Sequence, residues 1–367
     1  MNLLPKPKKI TEKGGQLLLC HSMYIVISKE ISDNGIYAAK RLQEAIRQET
    51  GLLLRLSVGE TRDGDFSLRI TETLSEQTYE ITINENGVQI LGGDGAGVLY
   101  GVETFCQILQ QYGGALPCMQ IMDAPDMPNR GYYFDQTRGR ILKLEELKKI
   151  ADRMSLYKLN QLQLYVEHTY LFRDFSEMWR DQTPITAEEI RELDSYCRER
   201  HIELVPSLAS FGHLCTLLST KTYGDLCEME DSWKEPFSFW NRMRYHTINV
   251  SDGRSLPLIK KMIAEYMQLF SSDKFNICAD ETFCLGKYKS KELAKECGIH
   301  RLYIDYVKEL AQFLVENGKI PMFWGDIIWN SPELMKELPE TMVCLNWGYA
   351  PELSLIHISE PTRPEPI

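Results

Sequence analysis

The chain has 367 residues, 43% of them hydrophobic and 25% charged, with a formal net charge of -11. That length allows about two domains with sizeable cores, and the composition is that of an ordinary globular protein. The negative balance offers no basic field to attract phosphates, which argues against nucleic acid and anionic membrane as partners.

The opening stretch, MNLLPKPKKITEKGG, has lysines but no apolar core of a signal peptide behind them, and no uninterrupted apolar run approaches a membrane span. The ten cysteines are scattered without a CxxC pair or a CxxC/His pattern. That usage predicts reduced, mostly buried thiols in a cytoplasmic protein and no metal site. Neither a GxxxxGKS/T loop nor a GxGxxG strand-to-helix turn occurs, so no cofactor is expected.

Residues 1–122 alternate strand-like and helix-like segments. Tyr24 to Ile27 is a β-branched run, and Asn34 to Thr50 has a helical period (Ile36, Leu42, Ile46) that Gly51 stops. Leu52 to Val58, Phe66 to Ile70, Tyr79 to Ile83 and Val88 to Leu91 read as strands, with Asn86-Gly87 as a hairpin turn between the last two. Gly93 to Gln111 opens on glycines and becomes an amphipathic helix. The expectation is a small α+β domain with a mostly antiparallel sheet and helices on one face. It carries no constellation of titratable residues, so it reads as structural support, with carbohydrate binding as the alternative.

DAPDMPNRG, Asp123 to Gly131, marks the boundary with two prolines and two aspartates. Strands and helices then alternate. The predicted strands are Gly131–Phe134, Gln161–Val166, Glu203–Pro206, Phe275–Cys278, Pro321–Trp324 and Val343–Trp347. Helices over 145–158, 187–200, 257–270 and 301–316 separate them. Such alternation implies parallel strands joined by helical crossovers, and the leading architecture is a (β/α)8 TIM barrel over 123–352 with about six strands present. From Leu353 the sequence LSLIHISEPTRPEPI breaks the pattern, with three prolines in its last seven residues. It resembles a translated sequencing-library adapter. The expectation is a non-native tail over 353–367, a natural chain cut near Glu352, and no role for His357 or Glu360.

In a barrel the strand ends converge on one face, where barrel enzymes keep their chemistry. Collected there are Arg130 and Asp135, Glu167 and His168, His213, the adjacent acids Asp280 and Glu281 of FNICADETF, Trp324 and Asp326, and Trp347 and Tyr349. Carboxylates, an arginine and aromatic rings suit a sugar site, because aromatic faces stack on pyranose rings and charged groups hold hydroxyls. Neighbouring strand residues point to opposite faces, so Asp280 and Glu281 can converge only where the strand bends out.

These residues carry a resemblance. NRGYYFDQTR (Asn129 to Arg138), KLNQLQLYV (Lys158 to Val166), ELVPSLASFGH (Glu203 to His213) and CADE (Cys278 to Glu281) resemble the first four barrel strands of glycoside hydrolase family 20, the β-N-acetylhexosaminidases. GAGVLYGVETFCQIL, Gly95 to Leu109, is similar to that family's accessory domain. The resemblance implies a retaining exo-β-N-acetylhexosaminidase acting on terminal β-linked N-acetylglucosamine or N-acetylgalactosamine. Its nucleophile is the substrate's own 2-acetamido oxygen, which forms an oxazolinium ion, the substrate-assisted exception among glycosidases. By that resemblance Glu281 is the acid/base, Asp280 orients the acetamido N–H, and Arg130 grips hydroxyls on the far side of the ring. His213 sits near the acid, Trp324 and Trp347 wall the acetamido pocket, and His168, Asp326 and Tyr349 complete the substrate contacts. Where the family's second strand ends in Thr-Asp-Asp, this chain reads Glu167, His168 and Thr169. The alternatives are a non-catalytic sugar-binding protein on the same fold and an inactive fragment. The expected partner is an oligosaccharide or glycoside substrate, with no nucleic acid and no membrane.

Overall fold

The computed structural model describes residues 1–29, 31, 34–236 and 238–348. The chain forms two compact units. One holds Met1–Tyr132, Glu145–Leu162 and Ser195–Glu203; the other holds Tyr133–Leu144, Gln163–Asp194 and the described part of Leu204–Ile367. Among the described residues no helix is long and apolar enough to cross a membrane.

The first unit begins with β1 (Lys9–Leu18), β2 (Tyr24–Ile27), α1 (Asn34–Thr50), β3 (Arg55–Val58), β4 (Phe66–Ile70), β5 (Tyr79–Asn84), β6 (Gly87–Gly92), α2 (Gly95–Tyr112) and β7 (Ala115–Asp123). Strand alternation decides which face is buried: Tyr79, Ile81 and Ile83 are inside, while Glu80 and Thr82 stay partly exposed. The buried face packs with Leu42, Ile46, Val98, Leu99, Val102 and Phe105 of the two helices into one core. The α2 start is capped by Asp94, whose carboxylate accepts from Gly97 N at 2.7 Å and Gln77 N at 3.0 Å.

The sheet order is β1-β7-β5-β6-β4-β2-β3. Its first three pairings are antiparallel and its last three parallel, so it is mixed, not mostly antiparallel. The expectation failed because α1 carries the chain from β2 to β3 as a helical crossover, which sets that pair parallel, and because β4 pairs with β2 and β6 instead of with its neighbours in sequence. The hairpin also differs by one residue. Asn84 pairs with Gly87, which makes Glu85-Asn86 the turn and Gly87 the first strand residue. Glycine is required there: φ is +128° and a Cβ would lie 2.4 Å from the Asp65 carbonyl oxygen.

After the boundary come β8 (Gly131–Asp135), α3 (Leu144–Leu156), β9 (Gln161–Val166), α4 (Ser176–Trp179), α5 (Ala187–Glu199), β10 (Glu203–Leu208), α6 (Cys215–Leu218) and α7 (Phe239–Arg244). Then follow α8 (Ser255–Met267), β11 (Lys274–Asn276), α9 (Lys291–Cys297), α10 (Ile299–Glu316), β12 (Ile320–Trp324) and β13 (Val343–Leu345). The six strands lie side by side in chain order, and β10 through β13 pair in parallel. All six residues of β9 are buried, as expected of a strand covered on both faces. This is an incomplete (β/α)8 barrel. The predicted tail and Tyr349 lie outside the described residues.

The strand that carries the acid pair is shorter than its apolar run. It stops at Asn276, whose side-chain Oδ1 accepts from Cys278 N at 2.8 Å. That local bond replaces a sheet partner and turns the chain outward.

Candidate active site

The turn leaving β11 is held in a conformation that side chains with a Cβ seldom adopt. Cys278, Ala279 and Glu281 have φ of +59°, +62° and +50°. Such strain persists only where the surroundings over-determine it, and it clusters at functional sites. Here the determinants can be named. Ile277 N donates to Met322 O at 2.9 Å, and Trp324 N donates to Cys278 O at 2.9 Å. Ser210 Oγ donates to Ile277 O at 2.6 Å, and Tyr303 OH to Ala279 O at 3.0 Å. Glu281 N donates to Asp326 Oδ2 at 3.1 Å. Gly212 also matters, since a Cβ there would lie 2.5 Å from the Asp280 carbonyl oxygen.

The helix behind this turn, α10, buries Leu302, Tyr303, Tyr306, Val307, Leu310 and Leu314 at helical spacing. Phe211 lies stacked on Tyr303 at 5.6 Å and against Tyr306 at 4.3 Å between ring centroids. Tyr306 OH in turn donates to Ser210 O at 3.0 Å. One helix face therefore fixes the ends of both β10 and β11.

The outward bend brings the acids to one imidazole. His213 Nε2 lies 3.3 Å from Asp280 Oδ2 and 3.4 Å from Glu281 Oε2. Burial works against a charged imidazole at His213, but the hydrogen bond and negative charge of Asp280, with Glu167 adding, hold it above the ordinary histidine value. Asp326 is raised to about 6, chiefly by burial, with the charges of Asp280 and Glu281 adding to it. Its Oδ1 is buried without a hydrogen-bond partner.

Asp280 and Glu281 line a cavity of about 440 Å³ together with Tyr133, Arg138, Tyr165 and Trp324, and with Phe239, Trp240, Met243, Arg244, Phe283, Trp347 and Gly348. Its volume suits a small ligand. Tyr165 is buried, and Tyr133 packs edge-on against Trp324 at 5.2 Å. Phe239, Trp240, Phe283 and Trp347 are exposed, by 58, 64, 42 and 42%.

The expected site residues divide accordingly. Glu281, Asp280, Trp324 and Trp347 meet at this cavity, with His213 directly behind the acids. Asp326 does not line it; it holds the Glu281 backbone from behind. His168 is buried with Nε2 on Gln182 Oε1 at 2.9 Å, and burial keeps it below the ordinary histidine value.

Arg130 is placed elsewhere. It precedes β8, and its guanidinium donates to Lys158 O at 2.9 Å, Gln77 Oε1 at 2.9 Å, Met127 O at 2.6 Å and Tyr100 OH at 3.2 Å. It belongs to the packing of the first unit and does not reach the cavity lining. Of the two arginines in this motif, the one that lines the cavity is Arg138, which follows the same strand. Its Nε lies 2.7 Å from Asp135 Oδ2, an ion pair whose N–H is not aligned as a hydrogen bond, and its guanidinium sits 4.9 Å from the Tyr165 ring centroid. Asp135 closes a tight turn by accepting from Thr137 N and Arg138 N at 2.9 and 2.8 Å. Both arginines stand in NRGYYFDQTR. Strand polarity was the signal that separates them, since barrel chemistry gathers at C-terminal strand ends.

Glu167 stood among the strand-end residues and as a departure from the family's second strand, without a role. It is a buried hub, with Oε2 2.9 Å from Arg242 Nη2, Oε1 3.6 Å from Arg138 Nε, and Oε1 accepting from Tyr165 OH at 3.0 Å.

Comparison with known proteins fits this geometry. Residues 1–124 match the model of glycosyl hydrolase family 20, domain 2, and residues 128–355 match that of the glycosyl hydrolase family 20 catalytic domain. A Beta-hexosaminidase of Porphyromonas gingivalis is 23% identical, covering 89% of this chain and 46% of its own length. One from Akkermansia muciniphila is 29% identical, covering 46% of this chain and 36% of its own length. The chain thus spans less than half the length of these curated relatives. Among solved structures, a Flavobacterium johnsoniae chitobiase superposes with a TM-score of 0.80 at 21% identity, covering 95% of this chain and 55% of its own. A Vibrio harveyi exo-β-N-acetylglucosaminidase in complex with N-acetylglucosamine superposes at 0.78 with 20% identity, covering 95% and 57%. With its family models matched over most of its length, the chain belongs to glycosyl hydrolase family 20.

Proposed function

We propose that the site hydrolyses terminal β-linked N-acetylhexosaminides with retention, by substrate-assisted catalysis. The observation that carries this reading is the convergence of Asp280 and Glu281 on one histidine nitrogen at the mouth of a ring-lined cavity. Two carboxylates gathered on one imidazole lie on one side of a substrate. They are poorly placed as an acid and a nucleophile flanking a bond from opposite faces, the arrangement that needs about 5 to 5.5 Å between them. The reading therefore gives the nucleophile to the substrate's acetamido oxygen. Glu281 protonates the leaving oxygen and then activates water. Asp280 accepts the acetamido N–H and stabilises the developing oxazolinium charge. His213, carrying charge beside both acids, keeps the pair oriented. Arg138 takes the role first given to Arg130 and holds ring hydroxyls, since its planar fork presents several donors in fixed directions. Trp324 and Trp347 wall the acetamido group. The bound N-acetylglucosamine of the Vibrio harveyi neighbour supports the sugar class, and the ten free thiols fit a cytoplasmic location.

The test is a paired assay on nitrophenyl β-glycosides that differ only at C2. Turnover of the 2-acetamido sugar with at least about a hundredfold preference over the 2-hydroxy sugar is expected, the scale of losing a positioned reacting group. Equal rates would remove the substrate-assisted step. Tight binding of the acetamido sugar without turnover would make the site a sugar receptor.

A further inference from the structure

The first unit has a cavity of its own, of about 360 Å³, which shares no lining residue with the cavity at Asp280 and Glu281. Pro5, Tyr79, Tyr100, Pro125 and Met127 give it apolar walls. Its charged lining is cationic in a chain of net charge -11: Lys6, Lys8, Arg130 and Lys158 face Asp123 and Asp126.

Local structure brings two of these cations together. Helix α3 ends in a Schellman turn, in which Leu159 N donates to Met154 O at 2.9 Å and Lys158 N to Ser155 O at 3.0 Å. The left-handed position of such a turn usually holds glycine. Here it holds Lys158, with φ of +59° and only 5% exposed. Its ammonium donates to Tyr79 OH at 2.9 Å and to Asp123 Oδ2 at 3.5 Å, and Tyr79 OH itself donates to Asp123 Oδ2 at 3.0 Å. An ammonium has three N–H donors, so one of them has no acceptor among the described residues.

The Lys158 carbonyl accepts from Arg130 Nε at 2.9 Å, which holds the guanidinium beside it. Arg130 Nη1 donates to Gln77 Oε1, Met127 O and Pro128 O at 2.9, 2.6 and 3.1 Å, and Nη2 to Tyr100 OH at 3.2 Å. Every one of these acceptors is neutral. The second Nη2 N–H is left over, and no carboxylate pairs with this arginine among the described residues. Lys8, by contrast, is already paired with Asp126 at 2.6 Å.

The two buried-side cations act on each other. Burial holds Lys158 below the ordinary lysine value; Asp123 opposes that shift and the charge of Arg130 adds to it. A neutral ligand would leave the Arg130 charge unanswered, and a dianion would meet Asp123 and Asp126 in the same lining. A single negative charge on an apolar body suits both the donors and the walls.

We propose that this cavity binds a small organic monocarboxylate, its carboxylate bridging Arg130 and Lys158 and its apolar body lying against Tyr100, Pro125 and Met127. The site is independent of the glycosidase reading.

Ligand-observed NMR titration of the full chain with benzoate tests it. Benzamide serves as the neutral analogue of the same shape, and inorganic phosphate as an anion without an apolar body. Benzoate should bind at least about tenfold more tightly than either, the scale of one charge-assisted hydrogen bond. Lys158→Met should weaken benzoate about 10- to 100-fold. Because Lys158 also supports Tyr79 and Asp123, Lys6→Glu provides a variant at an exposed position, expected to weaken benzoate about 2- to 5-fold. Arg138→Ala should leave benzoate affinity unchanged, which separates this cavity from the one at the acid pair. No binding of benzoate, equal affinity for benzamide, or phosphate binding as tightly overturns the proposal. A loss in Arg138→Ala with none in Lys6→Glu overturns it as well.

Discussion

The floor of the cavity and its rim hold their side chains by opposite means. At the floor the backbone is strained, and the carbonyls of Ile277, Cys278 and Ala279 each accept a hydrogen bond from a neighbouring element. At the rim the backbone of α7 is ordinary helix with exposed rings, and the clamps act on Arg242, Met243 and Arg244 beside them. The floor is fixed from several elements at once. The rim can exchange its rings while the clamps stay. Floor and rim are thus supported separately.

Substitution can break this contrast. The largest effect belongs to Glu281→Gln, expected to lower kcat about 10²- to 10⁴-fold on every substrate, aryl glycoside and disaccharide alike. Steady-state kinetics on both checks it, and a loss confined to one would mean the acid is not common to the floor's chemistry. Next come the two arginines around β8. Arg138→Ala should lower kcat/KM about 10- to 100-fold, the worth of one or two charge-assisted hydrogen bonds. Arg130→Ala should leave kcat/KM nearly unchanged while lowering stability to urea by about 1–3 kcal/mol, because it unpairs several carbonyls. The reverse pattern would restore Arg130 to the site.

The last effect concerns stability alone and leaves turnover untouched. Asp326 has a folded pKa of about 6, above its unfolded value near 3.9. Its contribution is therefore fully present below about pH 3.9 and is lost as pH rises through about 6. Asp326→Asn removes this dependence, so the mutant should gain on wild type by about 2–3 kcal/mol between pH 4 and 7 in urea melts. A difference that stays flat with pH would show that the floor carries no charge stress behind the acid.

Much of this was legible in the residues. Buried parallel strands announce themselves as short apolar runs, and so β9 and β12 were found nearly to the residue. The acid pair and His213 could be located because they directly follow such runs. β1 escaped because KITEKGGQLL is an edge strand, largely exposed, with charges where a core period would stand. Arg138 escaped because two arginines share one motif and only the direction of the strand tells which end each occupies. The ring pair of α7 escaped for a different reason. Nothing in FWNRMR states that Arg242 will find Glu167, a partner 75 residues earlier in the chain.

The two buried tyrosines of α10 have a consequence for how the protein reaches activity. The carbonyls they fix belong to Ala279 and Ser210, 24 and 96 residues earlier in sequence. Closing loops of that separation precedes any gain from the contacts they permit. The strained turn therefore lacks the Tyr303 support until α10 has docked, however early β10 and β11 have paired. On refolding, helical content should recover before binding of an N-acetyl sugar does, and the interval covers the docking of both α10 and β12.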